Sequence, residues 1–286
     1  MNGRACPRDA CPISVHARCR AEPGRRYYRH MRKSHLFVVA FTVLSVLAAL
    51  LVPAMPQPLD YHDFADVRPM FGIPNFMDVV TNGAFVLVGL VVVLRRRTAF
   101  ETGAERWPYA VFFVGVVLTG LGSGYYHLAP DNERLFWDRL PMTIAFMSLL
   151  SAQVVDRMSV RAGLALLVPA LLVGAATVFY WRATERAGAG NVIPYAVLQA
   201  YAVVVLFLLT RLHPSRYTRG TDLYWVFAGY VLAKVFETLD RPIFELGHAI
   251  SGHSLKHVAA GAAALLLARM LRLRRRQTRV APLPHF

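Results

Sequence analysis

Ser251-Gly-His253-Ser-Leu-Lys256-His257-Val-Ala-Ala-Gly261-Ala-Ala-Ala-Leu-Leu-Leu-Ala-Arg-Met-Leu271 is long and apolar enough to cross a membrane, yet it opens with two histidines. A helix rises 1.5 Å per residue, so about 20 mostly apolar residues cover a hydrocarbon core of ~30 Å. The i, i+4 spacing puts His253 and His257 one turn apart on one face, where two imidazoles can share a cation. Polar side chains at membrane depth are costly unless they are paired or do chemistry. This stretch therefore predicts both a membrane helix and a site on it.

Working outward, seven more segments carry the same apolar signature, near residues 36–55, 75–94, 107–127, 137–155, 161–180, 192–211 and 221–239. The expected fold is an all-α membrane protein. It comprises a seven-helix transmembrane bundle over residues 59–272 and one extra N-terminal transmembrane helix or signal anchor over 34–58. Residues 1–33 read as a disordered basic tail in which Met31 is an alternative start, and 273–286 as a basic cytoplasmic tail. A composition that is 56% hydrophobic and 17% charged, with mean hydropathy +0.39, lies outside the range of ordinary soluble domains. The net charge of +15 does not point to nucleic acid, because Lys and Arg sit in short runs between apolar segments. Cys6, Cys11 and Cys19 all precede the first span, so neither a disulfide framework nor a thiolate ligand is expected in the body.

The basic runs also orient the chain. Arg95–Arg97, Arg157 with Arg161, Arg211 with Arg216 and Arg219, and Arg272–Arg276 follow alternate spans, while acidic or mixed loops lie opposite. The positive-inside rule then places both termini in the cytoplasm. It also brings Ser123, His127, Asp138, His253 and His257 to one depth, toward the non-cytoplasmic side. The third span ends Ser123-Gly-Tyr-Tyr-His127, with Ser123 and His127 on one face, and the fourth opens Trp137-Asp138-Arg139-Leu-Pro-Met142. Three histidines suit zinc with a fourth position open to water, the mark of a catalytic centre; a structural clamp and histidines at the headgroup level are the alternatives. His62, His213 and His248 are expected to be solvated, and Lys234 to pair with Glu237.

These elements resemble the alkaline ceramidases, within the superfamily of seven-span hydrolases that includes the adiponectin and progestin receptors. Gly72-Ile-Pro-Asn-Phe76 with Asp78 and Thr81-Asn82, then Gly122-Ser-Gly-Tyr-Tyr-His127, Trp137-Asp-Arg-Leu-Pro-Met-Thr143 and Ser251-Gly-His-Ser-Leu-Lys-His257 follow that family's order over residues 60–270. The resemblance implies zinc on His127, His253 and His257, with Ser123 and Asp138 beside it. It further implies hydrolysis of a ceramide-like N-acyl lipid drawn from the bilayer. In the roles zinc-assisted amide hydrolysis requires, Asp138 serves as base and then acid, and Ser123 as the oxyanion donor. A calcium site, as in the eukaryotic members, would draw on Asp60, Asp63, Asp66 and Asn75, although their spacing differs and Asn75 stands where a glutamate is expected. Two rival functions remain: a receptor-like or haemolysin-III-like lipid-binding protein without turnover, and an ion-coupled transporter using Lys234, Glu237 and Asp78.

Overall fold

The computed structural model describes residues 23–94 and 100–277, with side chains from residue 36 onward except at 93 and 94. The cysteine cluster of Cys6, Cys11 and Cys19, the run Arg95–Arg97 and the end of the basic tail lie outside the described residues. The chain divides into two compact units, one ending at Thr42 and the other running from Val43. The described part of the first is the opening of α1, Pro23–Leu51, where Leu36, Phe37 and Val39 are all more than half exposed. An apolar helix surface left bare in this way suits lipid rather than water.

The second unit holds α2 (Phe76–Thr81), α3 (Gly83–Leu94), α4 (Arg106–Leu128), α5 (Asn132–Arg157) and α6 (Val160–Arg186). It continues with α7 (Ile193–Leu212), α8 (Leu223–Thr238), α9 (Asp240–Glu245) and α10 (Gly252–Leu273). Helix makes up 77% of the chain and no strand occurs among the described residues, so the all-α expectation holds. A helix occupies each of the eight anticipated places. By length and composition, however, four described helices suffice to cross a membrane: Gly103–Leu128, Val160–Arg186, Ile193–Leu212 and Gly252–Leu273. The apolar stretches Leu36–Leu51 and Phe76–Val92 are shorter. Helix α8 has only 16 residues, and α5 carries charge at both ends.

Local chemistry sets the helix boundaries. Asp131 caps α5 by accepting from Arg134 N at 2.6 Å, and Ser251 caps α10 by accepting from Ser254 N at 3.1 Å, each satisfying an orphan amide of the first turn. The second anticipated span is broken between α2 and α3. There Asn82 turns its amide back to the Asp78 carbonyl at 2.7 Å, a local bond that competes with continuous helix. Asn75, ahead of α2, adopts φ +46° and donates its side-chain amide to the His127 carbonyl at 2.8 Å, tying α2 to the end of α4.

Helix α4 packs along α5 and against α2 and α3, while α10 packs on α8, α3 and α2. The α4–α5 contact has an identifiable cause. Pro141 lies inside α5 and has no N–H, so the Trp137 carbonyl one turn earlier receives no helical bond. That carbonyl approaches Gly122 so closely that a Cβ there would sit 2.0 Å from the Trp137 oxygen and 3.4 Å from Asp138 N. Only glycine permits the approach, which sets Ser123 beside Asp138. Gly122→Ala is therefore expected to force the helices apart, lowering stability by ~1–3 kcal/mol and reducing turnover. A Cβ on Gly124, flanking Ser123 on its other side, would meet only the Val79 carbonyl at 3.9 Å, so Gly124→Ala is the matched control. Equal melting temperatures and rates for the two variants would contradict this account.

Candidate metal centre

The three histidines expected to act together do converge. His127 lies in the last turn of α4, and His253 and His257 in the first two turns of α10. Their ring centroids are 4.9, 5.1 and 4.9 Å apart, and one nitrogen from each lies within 4.8 Å of the others. Relative exposures of 1%, 6% and 2% place the cluster out of solvent. Among the described residues this is the only group of three or more potential ligands packed so closely.

The donor set fits a cation. His127 Nδ1 and His257 Nε2 are buried without a hydrogen-bond partner, an arrangement that costs free energy unless another electrophile fills the gap. The opposite nitrogen of His257 is fixed: Nδ1 meets Thr81 Oγ1 at 3.0 Å and Asn82 Nδ2 at 3.4 Å. Anchoring one ring nitrogen so that the other faces the ion is how ligating histidines are oriented, and such partners typically contribute 10–100-fold in affinity. Thr81→Val is accordingly expected to weaken zinc binding by about 10- to 100-fold while leaving the helical content intact. Isothermal titration with Zn2+ reads this directly; unchanged affinity would assign Thr81 to packing alone.

The surroundings are mostly aromatic and acidic. Phe64 stacks on His127 at 4.7 Å and His253 at 4.4 Å, roofing the cluster from the loop before α2. Asp240 accepts from His253 N at 2.7 Å and from Ala65 N at 2.9 Å, joining the start of α10 to that same loop. Asp78 is fully buried on α2, where Ser254 Oγ donates to Oδ1 at 2.5 Å and Oδ2 has no partner. Lys256 Nζ lies 2.8 Å from Glu237 and 3.3 Å from His253 Nε2. Asp138 and Ser123 are buried on facing helices, with their side chains interacting. Phe85, packed edge-on to His257 at 6.2 Å, also lines an apolar cavity of about 170 Å³ with Phe112, Met142, Phe146, Phe227 and Ala263.

Among the described residues, the calcium candidates Asp60, Asp63 and Asp66 do not form a close group of three carboxylate ligands. Asp66 spends both oxygens on Arg68, at 2.7 Å each, and although burial opposes ionisation, the Arg68 hydrogen bonds and charge hold its carboxyl below the ordinary value. Asp63 pairs with Arg241 at 3.0 Å, Asp60 lies in a short 3-10 turn, and Asn75 donates its side-chain nitrogen to the His127 carbonyl. The solvated reading of two histidines is also corrected. His62 bonds Tyr126 Oη at 2.7 Å and Asn132 Oδ1 at 3.0 Å, and His213 is buried beneath the Arg157 guanidinium, which binds its carbonyl at 2.7 Å. His248 is exposed, as expected. Glu237 does pair with Lys234, and with Lys256 as well.

A family model described as Ceramidase matches residues 71–282, most of the chain and all three histidines. The chain belongs to the ceramidase family. No curated protein matches it. Membership in the ceramidase family implies a hydrolase acting on an amide bond, a ceramide substrate and a membrane setting. The matched region begins just before Asn75, takes in both halves of the broken α2–α3 helix and ends beyond α10, so every residue described around the histidines except those of the loop over residues 57–66 falls inside it.

Proposed function

We propose that the chain is an intramembrane, zinc-dependent amidase that hydrolyses ceramide or a related N-acyl sphingolipid to a sphingoid base and a fatty acid. The observation that carries this reading is the buried histidine triad, two of whose nitrogens have no partner, next to the Ser123–Asp138 pair. His127, His253 and His257 would hold the ion. Bound there, zinc supplies a Lewis acid for the amide carbonyl and lowers the pKa of water to about 7.

The remaining chemistry belongs to the side chains. Asp138 takes a proton from the attacking water and returns it to the departing amine nitrogen, serving as base and then acid. The Ser123 hydroxyl donates to the carbonyl oxygen as negative charge develops on it. Phe64 and Tyr126, packed over His127, limit the access of bulk water. The acyl chain enters laterally from lipid and lies along the apolar cavity beyond Phe85. Eight spans, with both termini in the cytoplasm and the histidines toward the opposite face, complete the topology we favour, on the strength of the alternating basic loops.

The test is turnover. Purified protein loaded with zinc and given a fluorescent N-acyl sphingoid lipid should release labelled fatty acid, and chelation should stop it. Zinc binding without release would favour the receptor-like reading, and proton-coupled uptake into vesicles the transporter.

A further inference from the structure

The two most exposed large apolar side chains among the described residues lie at the tips of two loops, Phe71 at 87% and Leu246 at 88%. Met70 and Ile73 exchange both backbone hydrogen bonds, at 3.1 and 2.9 Å, so Phe71 and Gly72 are the central residues of a two-residue hairpin. Their φ values are +52° and +77°. A turn with both central residues in the left-handed region favours Asn and Gly, and a bulky side chain there is an outlier. Strain of this kind persists where the surroundings compensate for it. The Phe71 ring meets Phe76 at 5.5 Å and otherwise faces out of the protein, so the compensation lies outside the chain.

Arg68 joins the two tips. Its guanidinium donates to the His248 carbonyl at 2.5 Å and to the Ala249 carbonyl at 3.1 Å, and it lies 5.0 Å from the centroid of the Phe244 ring. Asp66, at 2.7 Å, balances its charge. The hairpin and the turn after α9 are thereby held against one another, with Val67 and Met70 adding further exposed apolar surface. That surface is continuous with a lipid-facing stripe: behind Phe76, the exposed residues Val80, Leu87 and Val91 follow at helical spacing along α2 and α3. Both loops lead directly to the histidines. The hairpin runs into Asn75, which binds the His127 carbonyl, and the turn into Ser251, which caps the helix of His253 and His257.

Apolar tips left in water cost free energy in proportion to their area, whereas the boundary between lipid head groups and acyl chains accepts them. The membrane setting of the family supplies that boundary. We infer that Phe71 and Leu246 form a membrane-docking surface that inserts into this boundary in the leaflet on the histidine side, fixing the depth of the metal centre in the bilayer. The inference does not depend on the amidase reading, so either can fail alone.

The test places a polarity-sensitive fluorophore on single cysteines in the full-length protein, with Cys6, Cys11 and Cys19 replaced by serine, in phosphatidylcholine nanodiscs. The labelled variants are Phe71→Cys, Leu246→Cys and, as a control at an exposed position after α6, Ala187→Cys. Labels at 71 and 246 should emit to the blue of the label at 187. They should also be quenched several-fold more strongly by lipids carrying a nitroxide near the top of the acyl chain, and be shielded from iodide in the water. Iodide that reaches 71 and 246 as readily as 187 would overturn the docking surface. So would shielding from iodide without quenching by the lipid, since a protein partner would then cover the tips. Insertion that requires anionic lipid would also overturn it, because the Arg68 charge is balanced by Asp66 and the tips are neutral. The two positions read one surface separately, so if one variant fails to fold the other decides.

Discussion

His253→Ala is expected to abolish zinc retention and amide hydrolysis together, with turnover no higher than in a protein-free control. The ring stands 4.9 Å from both other imidazoles, so its loss leaves two nitrogens where catalytic zinc usually has three protein ligands. The backbone should tolerate the change: His253 N still reaches Asp240, and Ser251 still caps the helix. Metal analysis of the purified variant, alongside circular dichroism to establish folding, reads the result. A folded His253→Ala protein that keeps stoichiometric zinc and hydrolyses N-acyl lipid would sink the three-histidine centre.

Asp138→Asn is expected to separate binding from catalysis. The amide is isosteric and can still meet Ser123, yet it can neither take up nor return a proton, so kcat should fall by about 10²- to 10⁴-fold with metal content unchanged. The contrast with His253→Ala is diagnostic, because one variant loses metal and rate and the other rate alone. Wild-type kcat in Asp138→Asn would make the carboxylate a packing group held by the α4–α5 contact.

How much of this was legible beforehand follows from the range of the interactions involved. The histidine pair is an i, i+4 relation within one helix, and His127 joins it through apolar spans that recur at membrane length, so both are readable locally. The break at Asn82 was not. It depends on a side chain bonding the Asp78 carbonyl and approaching His257, and its local signal, an Asn-Gly pair in an apolar run, also suits a helix interface. Asp78 was legible as a polar residue in an apolar stretch and as part of a family-like motif, but its partners, Ser254 on α10 and the cap residue Ser251, were not. The buried Arg139 guanidinium is held by Gln57 and Tyr61 from the segment before α2 and by Trp181 and Tyr195 from two other helices, and no spacing in the chain announces that. His62 and His213 were misjudged for a related reason: loop position suggests water, but Tyr126, Asn132 and Arg157 reach them from distant elements.

The division of the triad between α4 and α10 also bears on biosynthesis. A ribosome delivers His127 long before His253 and His257, and chains fold largely in the order they are made. Until α10 packs against α2 and α3, no second or third imidazole is present and Thr81 has no His257 to hold. Under the proposed reading, that order keeps the enzyme incomplete until its last helix is in place. A chain that ends before α10 lacks two of the three ligands and, as the proposed amidase, should neither hold zinc nor hydrolyse lipid.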